Sequence, residues 1–151
     1  MHKTIISDTS CFIILTKIGQ LEILHEVYGK ILTTPDIAAE FGEPLPEWVD
    51  IVNVIDIYRQ QILELQIGKG ESSAIALALE TPDCIIILDD YKARKIAERL
   101  GIVITGTIGV IIKAKLKNII PSIKPLLKKI KETDFYLSPE IEILALKEAK
   151  E

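Results

Sequence analysis

Five acidic residues, at four places in this chain, have the spacing of a reactive site. Asp8 follows the short apolar stretch TIIS, and Asp89 and Asp90 follow the run CIIIL. Glu71 opens ESSAIALA, and Glu40 lies in PDIAAEF. Carboxylates without accompanying His or Cys favour hard cations such as Mg²⁺ or Mn²⁺. Brought together, they repel one another unless a cation sits between them. Such a cation can clamp phosphate oxygens and activate water. Other chemistries are poorly supported. His2 and His25 stand alone, so no zinc site is expected. Cys11 and Cys84 lie in apolar runs and read as buried free thiols rather than a disulfide. GKGES lacks the Lys-Ser or Lys-Thr of a phosphate loop, and Gly106-Thr107-Ile108-Gly109 is too short for a dinucleotide fingerprint.

These acids need elements to place them. The run Cys84–Leu88, with three isoleucines, predicts a strand covered on both faces, and Asp89 comes directly after it. Asp8 repeats that pattern after a first strand spanning residues 2–7. Acids immediately after buried parallel strands stand where open α/β sheets bind ligands. Asp90 also fits as the cap of the next helix, from Tyr91 to near Gly101. Ala74, Ile75, Ala78 and Leu79 share a helical face, which places Gly70 and Glu71 at a helix start, where the dipole favours negative charge.

The rest of the chain alternates in the same way. Ser10 is expected to cap a helix over Cys11–Ile18 that Gly19 closes, and Gln20–Tyr28 makes a second helix. Strand Lys30–Thr33 leads to Thr34, the cap of helix Pro35–Phe41. A third strand is expected at Ile51–Ile55 and a helix at Tyr58–Leu65. Beyond the central stretch come strand Ile102–Thr105 and a helix from Ile108 to about Lys117, capped by Thr107. Pro121-Ser122 should open a helix to about Lys131. Phe135–Leu137 reads as extended, and Ser138-Pro139 starts a last helix over 139–150. Alternating strands and helices imply one α/β domain over 1–151, with a parallel sheet covered on both faces.

Composition fits a globular protein: 151 residues, 48% hydrophobic and 26% charged. Apolar runs fall short of a membrane span, and the first residues lack a signal-peptide core, so the expected location is the cytoplasm. The net charge of −4 argues weakly against a nucleic-acid partner. Its distribution argues the other way. From Gly101 to Lys131 there are seven lysines and no acid. That segment reads either as a solvated face or as a phosphate-binding flank, with Lys113 among its residues. Arg94 reads as a phosphate contact or an exposed helical charge. Trp48 and Tyr58 read as core or interface residues.

The ordered set carries a resemblance. Asp8-Thr9-Ser10 after the first strand, Glu40 after the second, Glu71 opening SSAIALA and LDD after a buried strand together resemble a PIN domain. The step of 18 residues from Glu71 to Asp89 belongs to that pattern. LDDYKARKIAERLG and TGTIGVIIKAKLKN resemble a prokaryotic branch of the family close to the VapC-type toxins. The resemblance spans residues 4 to about 130. It implies a three-layer α/β/α sandwich with a central parallel sheet, and a metal-dependent ribonuclease, often dimeric and often held by a small antitoxin. It implies Asp8, Glu40, Glu71 and Asp89 as the acidic catalytic set, with Ser10 as a site hydroxyl. Many VapC-like members carry Asp at the helix start where this chain has Glu71, a longer side chain that alters coordination.

Three functions follow. The first is an Mg²⁺- or Mn²⁺-dependent endoribonuclease, the toxin of a toxin–antitoxin pair, with Asp8, Glu71, Asp89 and Asp90 toward the metal and Ser10, Arg94 and Lys113 toward RNA. The second is an inactive RNA- or protein-binding module of the same fold, which the presence of all four acids disfavours. The third is a phosphoacceptor receiver domain. Against it, the acid pair lies late in the chain and Lys124-Pro125 falls in a helix rather than after a strand.

Overall fold

The computed structural model describes residues 3–151, so the expectations for Met1 and His2 fall outside the described residues. Among the described residues, five strands form one all-parallel sheet: β1 (Thr4–Ser7), β2 (Ile31–Thr33), β3 (Val49–Ile51), β4 (Cys84–Ile87) and β5 (Val103–Thr105). Nine helices among the described residues flank it: α1 (Thr9–Lys17), α2 (Glu22–Tyr28), α3 (Pro35–Phe41), α4 (Ile57–Leu63), α5 (Lys69–Glu80), α6 (Tyr91–Arg99), α7 (Thr107–Leu116), α8 (Lys124–Lys131) and α9 (Pro139–Glu148). This is the α/β/α arrangement expected from the sequence.

The strand order is β3-β2-β1-β4-β5. The chain builds outward from β1 through β2 and β3, then returns to lay β4 and β5 on the other side. The order therefore reverses between β1 and β4, and the crevice of an open parallel sheet lies at such a point, beyond the carboxyl ends. β1 and β4 pair from Thr4↔Cys84 to Ser7↔Ile87. Asp8 and Asp89 thus leave neighbouring strands at the same edge.

Apolar burial fixes these central strands. Ile5, Ile6, Ile86, Ile87 and Leu88 are buried, as are Phe12 and Leu15 of α1. Helix α5 is buried nearly all round, from Ser72 to Ala78. Its small residues let it press close to the layers on either side, beyond the single apolar face read from the sequence. A hydroxyl chain fastens its first turn. Ser73 donates to the Gly70 carbonyl at 2.7 Å, so the Thr34–Ser73 contact at 2.6 Å takes its proton from Thr34. Thr34 Oγ1 also accepts from the Ile37 N–H, the cap of α3 expected from the sequence. The starts of α3 and α5 are thereby tied together.

Several boundaries differ from expectation. The third strand lies earlier, at Val49–Ile51, because β2 offers partners only until the Thr34-Pro35 helix start; Thr33 pairs with Ile51. The N–H groups of Ile55 and Asp56 instead donate to the Glu80 carboxylate at 2.9 and 2.7 Å. Asp8, not Ser10, caps α1, accepting from the Cys11 N–H. Thr107 is the first residue of α7 rather than its cap, because Asp89 takes its hydroxyl proton. Helix α8 begins at Lys124, after the Glu151 carboxylate has accepted the Ile123 N–H at 2.8 Å. Ser138 caps α9 as expected. Cys11 is buried, Cys84 half-buried, and both are free.

Candidate active site

Asp8 is almost fully buried, at 3% exposure. Its extended backbone aims the carboxylate back at the first turn of α1, where Oδ1 accepts from the Cys11 N–H at 2.9 Å. Oδ2 accepts from the Asp89 N–H, also at 2.9 Å. Burial, followed by the Asp89 charge, pushes the Asp8 pKa up to about 8 from 3.8; the two N–H donors pull the other way, and Glu71 adds a smaller rise. The site therefore resists holding its full negative charge without a counter-charge.

Asp89 is held by Thr107. Its Oδ1 accepts from the Thr107 N–H at 2.9 Å and its Oδ2 from the Thr107 hydroxyl at 2.5 Å. Gly106 makes room for this contact. A Cβ there would lie 2.9 Å from Asp89 Oδ1 and 3.0 Å from Arg94 Nη1. Arg94 is anchored beside the pair, its Nη1 donating to the Leu88 carbonyl at 2.8 Å. Asp90 caps α6 through the Ala93 N–H at 2.9 Å.

Glu71 stands in the first turn of α5, half-buried. Burial raises its pKa, helped by the charges of Asp90 and Glu40 and opposed by nearby backbone N–H groups. Glu40, near the end of α3, accepts from the Thr9 hydroxyl at 2.6 Å. Its carboxylate lies over Gly70 so closely that a Cβ there would collide with it.

A cavity of about 310 Å³ is lined by Asp8, Glu71, Asp89 and Asp90 with Thr9, Ser10 and Phe135. Glu40 lines a neighbouring cavity of about 610 Å³ that shares Thr9, Ser10, Glu71 and Phe135. The structure thus gathers Asp8, Ser10, Glu71, Asp89 and Asp90 around one space and sets Glu40 at its flank. Arg94 lines a third cavity, which meets the first at Asp89 and Phe135. Lys113 lines none of these; its ammonium sits 5.0 Å from the centre of the Tyr28 ring. Lys115 and Lys117 donate to the carbonyls of Ala149 and Val27, both at 3.1 Å. Cys11 is no nucleophile, because burial, then Asp8 and Asp89, hold its thiol protonated.

Thr9, Gly106, Thr107 and Phe135 serve the site, and sequence reasoning missed them or misassigned them. Thr9 was legible as the hydroxyl beside Asp8. Thr107 follows the strand after Asp89, and its strand-end position was the available signal. Phe135 arrives from a distant segment and carried none.

The donor set fits a hard cation: carboxylates and hydroxyls line the cavity, with no soft ligand. Among the described residues, no three His, Cys, Asp or Glu side chains are grouped so that they could hold a metal ion by themselves. Mg²⁺ does not need such a group, since it keeps several waters and uses one or two carboxylates plus substrate phosphate. Asp8 and Asp89 would supply those carboxylates, and Glu71 and Asp90 line the same cavity.

Compared with known families, residues 4–151 match the model of a family described as a PIN domain. Comparisons with curated proteins and with solved structures gave no match.

Proposed function

The chain belongs to the PIN-domain family, and on that premise we propose that it is an Mg²⁺- or Mn²⁺-dependent endoribonuclease. PIN domains are generally nucleases, and the observation that supports this reading most strongly is the Asp8–Asp89 pair. The two acids leave neighbouring strands at the switch point of the sheet, tied by the Asp89 N–H to the Asp8 carboxylate, and burial and the Asp89 charge raise the proton affinity of Asp8. A cation bound there would polarise the phosphodiester and supply an activated water.

The chain's own groups do the rest. Asp8 and Asp89 hold their positions through four hydrogen bonds from Cys11, Asp89 and Thr107. Preorganised charge of this kind needs no rearrangement as the reaction proceeds. Glu71 lines the same cavity in the first turn of α5, placed to take a proton from water there. Glu40, held by Thr9, supports the negative field beside it. Arg94 and the Ser10 hydroxyl bind phosphate oxygens, Arg94 as a fixed fork. Lys113, named from the sequence for the same role, would touch RNA only outside this cavity.

Within the family, we read the protein as the cytoplasmic toxin of a toxin–antitoxin pair, working as a homodimer. The resemblance of its later elements supports this. So does the exposed apolar face of Tyr58, Ile62 and Leu65, on and after α4, which suits a second protein surface. A small overlapping partner gene would support the toxin reading.

Calorimetric titration of Mn²⁺, run with RNA cleavage, tests the nuclease reading. Wild type should bind the ion and cut RNA only in its presence. Metal binding unaltered by Asp8→Asn together with Asp89→Asn would remove the carboxylate pair as the site.

A further inference from the structure

Next to the acidic cavity lies another, of about 490 Å³, between α7 and the segment leading into α9. The two share Asp89 and Phe135. Ile108, Ile112 and Leu144 contribute an apolar lining, and Tyr91, Arg94 and Tyr136 add two rings and a cation. Both tyrosines are exposed, Tyr91 at 73% and Tyr136 at 80%. They come from unrelated parts of the chain, the start of α6 and the approach to α9. Arg94 spends one N–H on the Leu88 carbonyl.

We propose that this cavity is a nucleobase subsite, holding the unpaired base next to the phosphate bound at Asp89. The proposal rests on the nuclease reading and adds to it the place where the substrate is gripped. A base is a flat apolar ring with polar edges. It stacks on aromatic rings and on guanidinium planes, and the preference for such partners is characteristic of RNA recognition by splayed-out bases. The cavity offers rings, an arginine and an apolar lining together. The shared Asp89 and Phe135 give the direction: a phosphate held through a cation at Asp89, with Arg94 on its oxygens, leaves its neighbouring base between Phe135 and the tyrosines. The apolar residues on α4 line neither cavity, which marks them as a different kind of surface.

The probes are a short single-stranded RNA and the same oligonucleotide with its bases removed, titrated with Ca²⁺ in place of Mg²⁺ so that the phosphate is held while cutting is suppressed. Wild type should bind the intact strand more tightly. Tyr136→Ala should weaken that binding by about 5- to 10-fold, at the lower end of the stacking range for one base, and leave binding of the base-free strand unchanged. Tyr136→Phe should restore it, since the ring and not the hydroxyl does the gripping. Leu100→Ala, an exposed apolar side chain at the end of α6 that lines neither cavity, should change nothing. In cleavage assays with Mg²⁺, Tyr136→Ala should raise KM and leave kcat near wild type. If wild type cuts RNA but Tyr136→Ala and Tyr91→Ala both bind intact RNA as wild type does, the base subsite is wrong and an apolar side chain of a protein partner becomes the better occupant. If wild type neither cuts nor binds RNA, the nuclease reading falls, and the subsite with it. Binding that depends on Tyr136 without any cleavage would support the subsite alone.

Discussion

Asp8 Oδ2 accepts a hydrogen bond from the backbone N–H of Asp89 at 2.9 Å, across 81 positions of sequence. Each acid therefore fixes the other: one supplies a carboxylate oxygen, the other a main-chain donor. Neighbouring parallel strands in register make this possible. The contact also sets a cost, because a buried carboxylate is forced beside a second one.

That cost gives the metal-free protein a particular pH dependence. The Asp8 pKa is about 8 in the fold against 3.8 ordinarily. Between those values the folded state keeps a proton that the unfolded state has released, so this stabilisation is full below about pH 4 and lost as pH rises through about 8. Metal-free Tm should therefore fall across that window. In Asp8→Asn the side chain cannot accept from both the Cys11 and Asp89 N–H groups, which costs about 1 kcal/mol at acid pH. The variant carries no charge, so its Tm should fall less steeply and approach the wild-type curve toward pH 8. Thermal melts in chelator check this; parallel curves would contradict it. Added Mg²⁺ should stabilise wild type more at the alkaline end, because ligands must be deprotonated.

Thr107 positions Asp89. Thr107→Val removes the hydroxyl donor but keeps the N–H bond, so stability should drop by about 1–2 kcal/mol. The rate at saturating RNA should fall by about 10-fold as Asp89 loses orientation. A kcat equal to wild type would make Thr107 a merely structural residue.

Gly106 is needed for space rather than backbone freedom, since its φ of −130° suits any residue. Gly106→Ala would push on Asp89 and Arg94 together, costing about 1–2 kcal/mol. Metal affinity and RNA affinity should fall together, read by titration of each. Unchanged metal affinity would mean that Asp89 can move aside without consequence.

Arg94 and Lys113 separate two views of RNA binding. Arg94→Gln should reduce the salt slope of single-strand binding by about 0.7, the loss of one phosphate contact. Lys113→Gln should leave the slope alone, because the Lys113 ammonium lies over the Tyr28 ring. Binding titrations at several salt concentrations decide between them. The reverse result would move the RNA path to the lysine-bearing side of α7.

Much of this was readable in the sequence, for physical reasons. Isoleucine runs ending in Asp marked the central strands, because buried parallel strands need no alternation. Thr34-Pro35 and Ser138-Pro139 marked helix starts through local capping chemistry. The third strand was misplaced because its position depends on where β2 ends, a non-local fact. Ser10 has the chemistry of a cap, but the helix starts one residue earlier than Ser10, at Thr9, so Asp8 caps it and faces the site as well. Lys113, Lys115 and Lys117 read as a free basic run, yet each touches its own chain. Phe135 at the junction of the three cavities had no local signature at all.

The most direct measurement is RNA cleavage by wild type and Asp89→Asn, with Mg²⁺ or Mn²⁺ and with chelator. Asn is accommodated at this position, because the Thr107 hydroxyl can turn to accept from the new amide while the Thr107 N–H still donates to its oxygen. The fold should therefore be kept, and in chelator the Tm should rise as the charge beside Asp8 is removed. Wild type should cut only with metal, and Asp89→Asn should cut slower by about 100-fold or more. Equal cleavage by the folded variant, or cleavage by wild type in chelator, would contradict a carboxylate-held metal at the β1–β4 switch point.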